Sequence, residues 1–273
     1  MHFHLPKPLH GWRQFAGEIA IIVIGVLIAL GAENLIERWH WREEADTANE
    51  AFRDELLSAA GVAYERLIIQ PCLQGRIRQL SDQLGENTRL WKASPMAGRN
   101  KLYVNVMPVV YRAPTRPLPT DGWKNALGNG TLNHLPSAHV RQLSALYNQL
   151  SEFEVLQSEE AKAAASLTPL GFDRALDDDS RTNMLASLAE VDRINSLMAL
   201  DASQMIEAVR DLHLKFRVAL VETGRRQIVS EQRAMRGMCV ADLPLILGSE
   251  FVPNVRFPPK ADIRLVPPHH SHV

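Results

Sequence analysis

IAIIVIGVLIALGA, residues 19–32, carries no charged or hydrogen-bonding side chain, whereas the rest of the chain is polar and patterned for helices. At 1.5 Å per residue these 14 residues rise about 21 Å, short of a hydrocarbon core of ~30 Å. Including Phe15, Ala16, Gly17 and Glu18 lengthens the segment to 18 residues and about 27 Å, with one carboxylate near its edge. Tryptophans frame it, Trp12 before the run and Trp39 and Trp41 after it. Trp12 and Trp39 stand 27 residues apart, about 40 Å of helix, which matches a bilayer measured through the headgroups where indole rings prefer to sit. The segment reads as one spanning helix over residues 15–34, behind a tail at 1–14. A buried helix of a soluble domain and a cleaved signal sequence compete with this reading. The signal sequence has a basic start in Lys7 and Arg13 and small residues at Ala29 and Gly31. Helical patterning nevertheless runs on through Glu33, Leu35 and Trp39, which favours an anchor.

On a helical wheel Glu18, Gly25, Ala29 and Ala32 fall with Gln14 in one stripe about 60° wide. Gly25-x-x-x-Ala29 is a pair of small residues that lets helix backbones approach closely, and a carboxyl at the membrane edge seeks a partner or the interface. The expected partners are membrane lipid and a protein, either a second copy or another membrane helix. Basic residues give little orientation, since Lys7 and Arg13 precede the span and Arg38 and Arg42 follow it. The short tail favours an N-terminus inside. Two cysteines, Cys72 and Cys239, predict one disulfide in an oxidising compartment, with two unrelated buried thiols as the alternative. The location expected is therefore the bacterial inner membrane, single-pass, with a cytoplasmic tail and a periplasmic C-terminal domain.

A net charge of −1 offers no basic field for nucleic acid, and about 240 residues beyond the span are ample for one core. Four segments carry helical periodicity. The first continues from the span through Phe52, Leu56, Ala63 and Leu67 and is expected to end at Pro71. The second runs from Leu73 to Trp91, and the third starts at Pro136 and includes Tyr147 and Phe153. The fourth, expected to be the longest, runs from Leu188 to Ala219 in near-heptad steps broken by one polar residue, Asn195, which predicts coiled-coil-like packing and a bend near Gly224. A short strand is expected at 102–107, and a short helix capped by Thr120 or Asp121 is expected to carry Trp123 and stop at Gly128-Asn129-Gly130. The fold predicted is all-α, a transmembrane helix continuing into an antiparallel helical bundle over 35–238, with a Pro/Gly-rich insert at 93–135 and an irregular Pro-rich tail at 239–273. In the topology expected, helix one leaves the membrane, helix two returns, the insert climbs, helix three descends and helix four rises. Cys72 and Cys239 would then meet at the membrane-distal end.

Residues 17–39, GEIAIIVIGVLIALGAENLIERW, resemble the opening of a bacterial single-pass membrane-protein family of unknown function. Its members begin Gly-Glu-Ile, then Val-Ile-Gly-Ile/Val-Leu-Ile-Ala-Leu, then a polar exit rich in Asn and Trp. This chain keeps Gly17, Glu18, Ile19, the VIGVLIAL core and Asn34, and departs where Leu35, Ile36 and Glu37 replace the tryptophan step. Trp123, Gly130, Leu132, Leu135 and Tyr147 also look like patterns of such proteins. The resemblance implies an anchor with an extracytoplasmic helical domain and supplies no catalytic residues.

No phosphate loop, Gly-x-Ser-x-Gly elbow or Cys-x-x-Cys-His haem attachment occurs, so no catalytic residue, metal site or cofactor is assigned. His2, His4, His269, His270 and His272 lie in terminal tracts that bind metals adventitiously, and His134 and His139 are five apart, off a common helix face. Asp177-Asp178-Asp179 reads as a solvated turn rather than a cation site. Trp123 and Tyr147 read as core, or as lining a pocket between helices that a ligand or partner contacts. The function expected is a non-enzymatic accessory, scaffolding or interaction module, with a small-molecule sensor acting through a membrane partner as the alternative.

Overall fold

The computed structural model describes residues 12–86, 89–96 and 107–247, with side chains from residue 15 onward. The strand expected at 102–107 (apart from Met107), the terminal histidines and the tail past 247 lie outside the described residues. The protein is all-α, with five α-helices and one two-residue strand pair among the described residues.

Helix α1, Trp12–Gly85, contains 74 residues and is about 110 Å long. It passes through Pro71, so the hairpin expected there does not form. Instead Ile69, Leu73, Ile77, Leu80 and Leu84 form one buried stripe that crosses the proline in steps of four, four, three and four. An interior proline costs ~3 kcal/mol, while each of the four buried residues beyond it contributes about 1.5–3 kcal/mol. Packing therefore outweighs the break. The Pro71 ring lies on the exposed side of the helix. Helix two of the expected topology is thus the end of α1, and Leu90–Trp91 is a strand, β1.

From Gly85 the chain turns back. β1 pairs antiparallel with β2, Arg174–Ala175, and the extended segment 107–120 descends beside α1 to the short helix α2, Asp121–Gly128. A 3-10 turn, Thr131–His134, leads into α3, Ser137–Ser166, which starts after Pro136 as expected. Tyr147 meets Glu55 and Glu160 meets Arg66, so α3 runs parallel to α1. Helix α4, Asp178–Asp211, runs antiparallel to both, joining Asn195 to Arg66 and Arg181 to the Leu84 carbonyl on α1, and Asp201 to Gln149 on α3. Helix α5, Val218–Arg236, runs parallel to α1, with Gln232 beside Glu65. Helices three and four therefore run opposite to the directions expected, because α1 does not turn at Pro71. α1 is also the longest helix, not the fourth.

The heptad positions of α4 are buried as a set: Leu188, Val191, Asn195, Met198, Ala202, Met205 and Val209. The break expected near Gly224 falls at 212–217, and Gly224 lies inside α5 facing open space. In the break Leu212, Leu214 and Phe216 pack on the core while His213, Lys215 and Arg217 are exposed, an alternation with the period of extended chain. The Asp177–Asp179 run opens α4: the Asp177 carboxylate accepts from the Ser180 amide at 2.8 Å, and the hydrogen bonds from Ser180 hold its pKa below the ordinary carboxylate value.

Candidate functional site

Three polar rungs lie inside this bundle, and α1 supplies a charged residue to each. In the lowest, the buried Glu55 carboxylate accepts from the amides of Gly122 at 2.6 Å and Trp123 at 3.4 Å, and from the Tyr147 hydroxyl at 2.6 Å. Glu55 thereby caps α2, a role expected of Thr120 or Asp121; Thr120 occupies the cap position and makes no side-chain cap bond. A Cβ on Gly122 would stand 2.8 Å from the Ala51 Cβ, so only glycine lets α2 approach α1 this closely. Trp123 stacks on Tyr147 with ring centroids 4.8 Å apart and an interplanar angle of 11°, and Phe52 meets the Tyr147 ring edge-on. The structure thus brings Trp123 and Tyr147 together, with Tyr147 buried, Trp123 half-buried and the tyrosine hydroxyl committed to Glu55. Burial, then the bond to Glu55, pushes the Tyr147 pKa well up.

In the middle rung Glu65 receives a two-bond fork from Arg116 at 2.9 Å each and a third bond from Gln232 at 2.6 Å. Gln157 on α3 holds the Arg116 backbone at both its amide and its carbonyl. The upper rung is the most deeply buried. Arg66 and Glu160, each 2 % exposed, form a bidentate pair at 2.8 Å. Arg66 also donates to Asn195 Oδ1 at 2.7 Å, and the Tyr111 hydroxyl donates to Glu160 at 2.8 Å. Burial, reinforced by the Glu160 carboxylate, raises the Tyr111 pKa far above the ordinary phenol value. Each of the three carboxylates in the rungs accepts three hydrogen bonds from the protein itself.

A cleft of about 460 Å³ opens between segment 107–115 and α3, floored by Tyr111, Gln157 and Glu160. A second, of about 580 Å³, runs between α1 and α5 past Gly61, Gly224 and Ile228. Among the described residues no group of three or more His, Cys, Asp or Glu side chains is placed to hold a metal ion. His134 stacks on Trp41 with centroids 3.9 Å apart, which ties that indole to the bundle, whereas Trp39 stays 70 % exposed.

The disulfide expected between Cys72 and Cys239 is present. It is not at the end of the bundle, since α1 continues from Cys72 to Gly85. Glu18, Gly25, Ala29 and Ala32 lie on α1 in the apolar stretch, which is exposed throughout, and Gly25 faces open space. α1 is the one helix among the described residues long and apolar enough to cross a membrane.

Sequence reasoning missed Arg66, Glu160 and Tyr111. Their partners are 49 to 129 residues away in the chain, beyond the reach of any local pattern, and the polar interruption of the α4 heptads at Asn195 was the one signal. Comparison of the chain with family models, with curated proteins and with solved structures finds no match.

Proposed function

We propose that this protein is a single-pass membrane protein of the bacterial inner membrane whose periplasmic helical domain acts as an accessory or scaffolding module for other proteins. One observation carries the reading: a single helix is exposed and apolar through residues 15–32 and then becomes the central buried strut of the bundle. Such a helix transmits position without a flexible joint, which suits a module that holds a partner at a fixed distance from the bilayer. The disulfide supports an oxidising compartment. The small-residue stripe at Gly25, Ala29 and Ala32, with Glu18, supports lateral association. The engagement of each buried carboxylate by three donors of the protein itself supports a structural role for the rungs.

The test has two parts. Protease added to spheroplasts digests the domain if it is periplasmic and leaves it intact if it is cytoplasmic. Cross-linking in native membranes then captures a stoichiometric protein partner, and Gly25→Ile reduces its recovery. Release of the full-length chain by alkaline carbonate would overturn the anchor.

A further inference from the structure

From Cys239 the chain turns back along α1 and runs opposite to it. Cys239 is bonded to Cys72, the Ala241 amide donates to the Ile68 carbonyl at 2.8 Å, and the Tyr64 hydroxyl donates to the Leu243 carbonyl at 2.6 Å. Every two residues of this segment therefore descend about one turn of α1. The next step brings Leu245 to the wall of the cleft between α1 and α5, which Gly61 also lines. Leu247, buried against the core, is the last described residue. The chain thus leaves the described structure beside this cleft.

The cleft is an open apolar groove with an acidic rim. Leu57, Val62, Ile228 and Leu245 are only half-buried in its walls, and Leu220 is 54 % exposed. Its two arginines are committed to carboxylates of their own, Arg116 to Glu65, and Arg225 to Glu222 and Asp242. The exposed carboxylates of Asp54 and Glu231 are left to set the sign of the rim. We propose that residues 251–257 of this same chain, FVPNVRF, lie extended in the cleft. Phe251 follows Leu247 by four residues, a reach of about 13 Å, so the segment is tethered at the groove it fills. Extended, the segment spans about 20 Å, close to the about 17 Å of α1 between Asp54 and Glu65 that line the cleft. Phe251, Val252, Val255 and Phe257 supply apolar surface for the walls. Arg256 and Lys260 are basic, and no acidic residue lies between them and Phe251, which complements the rim. Val252 and Phe257 each precede a proline, which biases both to extended backbone. The proposal does not depend on the membrane assignment, and it leaves the acidic face of α1 below Asp54 uncovered.

The experiment uses the full-length chain in detergent micelles, with the photo-cross-linker benzoylphenylalanine in place of Leu220 on the cleft rim. Mass spectrometry of an equimolar mixture of unlabelled and isotope-labelled protein maps the product and shows whether one molecule or two supplied it. The expected product joins position 220 to residues 249–258 of the same molecule. Benzoylphenylalanine in place of Leu200, exposed on α4, is expected to give no such product. Two variants are expected to lower the yield several-fold. Gly224→Leu puts a side chain into the cleft where a Cβ meets no atom within 4 Å, and leucine is the better helix former. Phe251→Ser with Phe257→Ser removes the apolar surface of the tail and leaves every described residue unchanged. The proposal is overturned if position 220 gives no product with 249–258, or if the product carries mixed labels, which would make a second copy the occupant. It is also overturned if position 200 captures the tail equally, or if the serine variant keeps the parental yield.

Discussion

Glu160→Gln removes one charge from the upper rung at nearly constant volume. Arg66 is left 2 % exposed with a full charge and only neutral oxygens, those of Asn195 and the new amide, as side-chain partners. The new amide also presents donors where the guanidinium and the Tyr111 hydroxyl already donate. Breaking a buried pair in this way costs about 3–5 kcal/mol. For a bundle of roughly 200 residues that lowers Tm by about 6–20 °C, at roughly 2–4 °C per kcal/mol. Thermal unfolding of the full chain in detergent, followed by far-UV circular dichroism, measures it. The double variant Arg66→Met with Glu160→Met removes both charges and fills the space, which elsewhere is neutral or stabilising by about 1–4 kcal/mol. Here it deprives Tyr111 of an acceptor, at about 1–3 kcal/mol, so it should fall near the parent and gain further from Tyr111→Phe. The reasoning is refuted if Glu160→Gln costs under about 1 kcal/mol, or if the double variant is less stable than the single one.

Replacing both Cys72 and Cys239 by serine opens a loop of 167 residues; chain entropy gives about 5 kcal/mol as an upper figure, read as a lower denaturation midpoint under oxidising conditions only. Glu55→Ala removes the α2 cap and the Tyr147 acceptor together, and should cost about 1–3 kcal/mol and change Trp123 fluorescence as the indole leaves its stack. Asp201 is half-buried and burial raises its pKa, so the folded protein keeps that proton to a higher pH than the unfolded chain does. Stability is lost as pH rises from about 3.9 through the folded value. Asp201→Asn, which retains the acceptor for Gln149, should therefore be more stable than the parent at pH 7 and equal to it near pH 3; partial exposure limits the gain to about 1 kcal/mol or less.

Most elements of the fold were legible because their signals are local. The α4 heptads, the start of α3 after Pro136 and the stop of α2 at Gly128-Asn129-Gly130 each lie within a few residues of their cause. Pro71 was misread for a physical reason. Its cost is local and visible, while the stripe that offsets it is distributed over Ile69, Leu73, Ile77, Leu80 and Leu84. That one reading reversed the directions assigned to α3 and α4 while leaving their buried faces as expected, although α4 spans Asp178–Asp211 rather than Leu188 to Ala219. The polar rungs were illegible, because glutamates and arginines on amphipathic helices read as solvated until the topology brings their partners opposite them.

The continuity of α1 links the two halves of the proposed function. At about 100° per residue, Glu43, Glu50 and Asp54 fall within about 20° of Gly25 around the helix, whereas Phe52, Leu56, Ala59 and Ala63 fall on the opposite side. The first set is exposed and the second buried, so up to Asp54 the small-residue stripe faces away from the core and leaves room for a second helix alongside α1, below the level at which Ile228 of α5 covers Gly61 on the same face. The face continuing that stripe above the apolar stretch is acidic, carrying Glu43, Asp46, Glu50 and Asp54. Two copies packed through Gly25 would oppose these carboxylates, whereas a different helix with basic residues at the same height would complement them. Salt separates the cases. If the neighbour is a second copy, cross-linked dimer from native membranes should increase as ionic strength rises from about 0.01 to 1 M, where the screening length falls from about 30 to 3 Å. If it is a basic partner, recovery should fall over the same range, and Glu50→Lys with Asp54→Lys should abolish it at low salt. Recovery insensitive to both salt and these substitutions would mean that the acidic face contacts no neighbour.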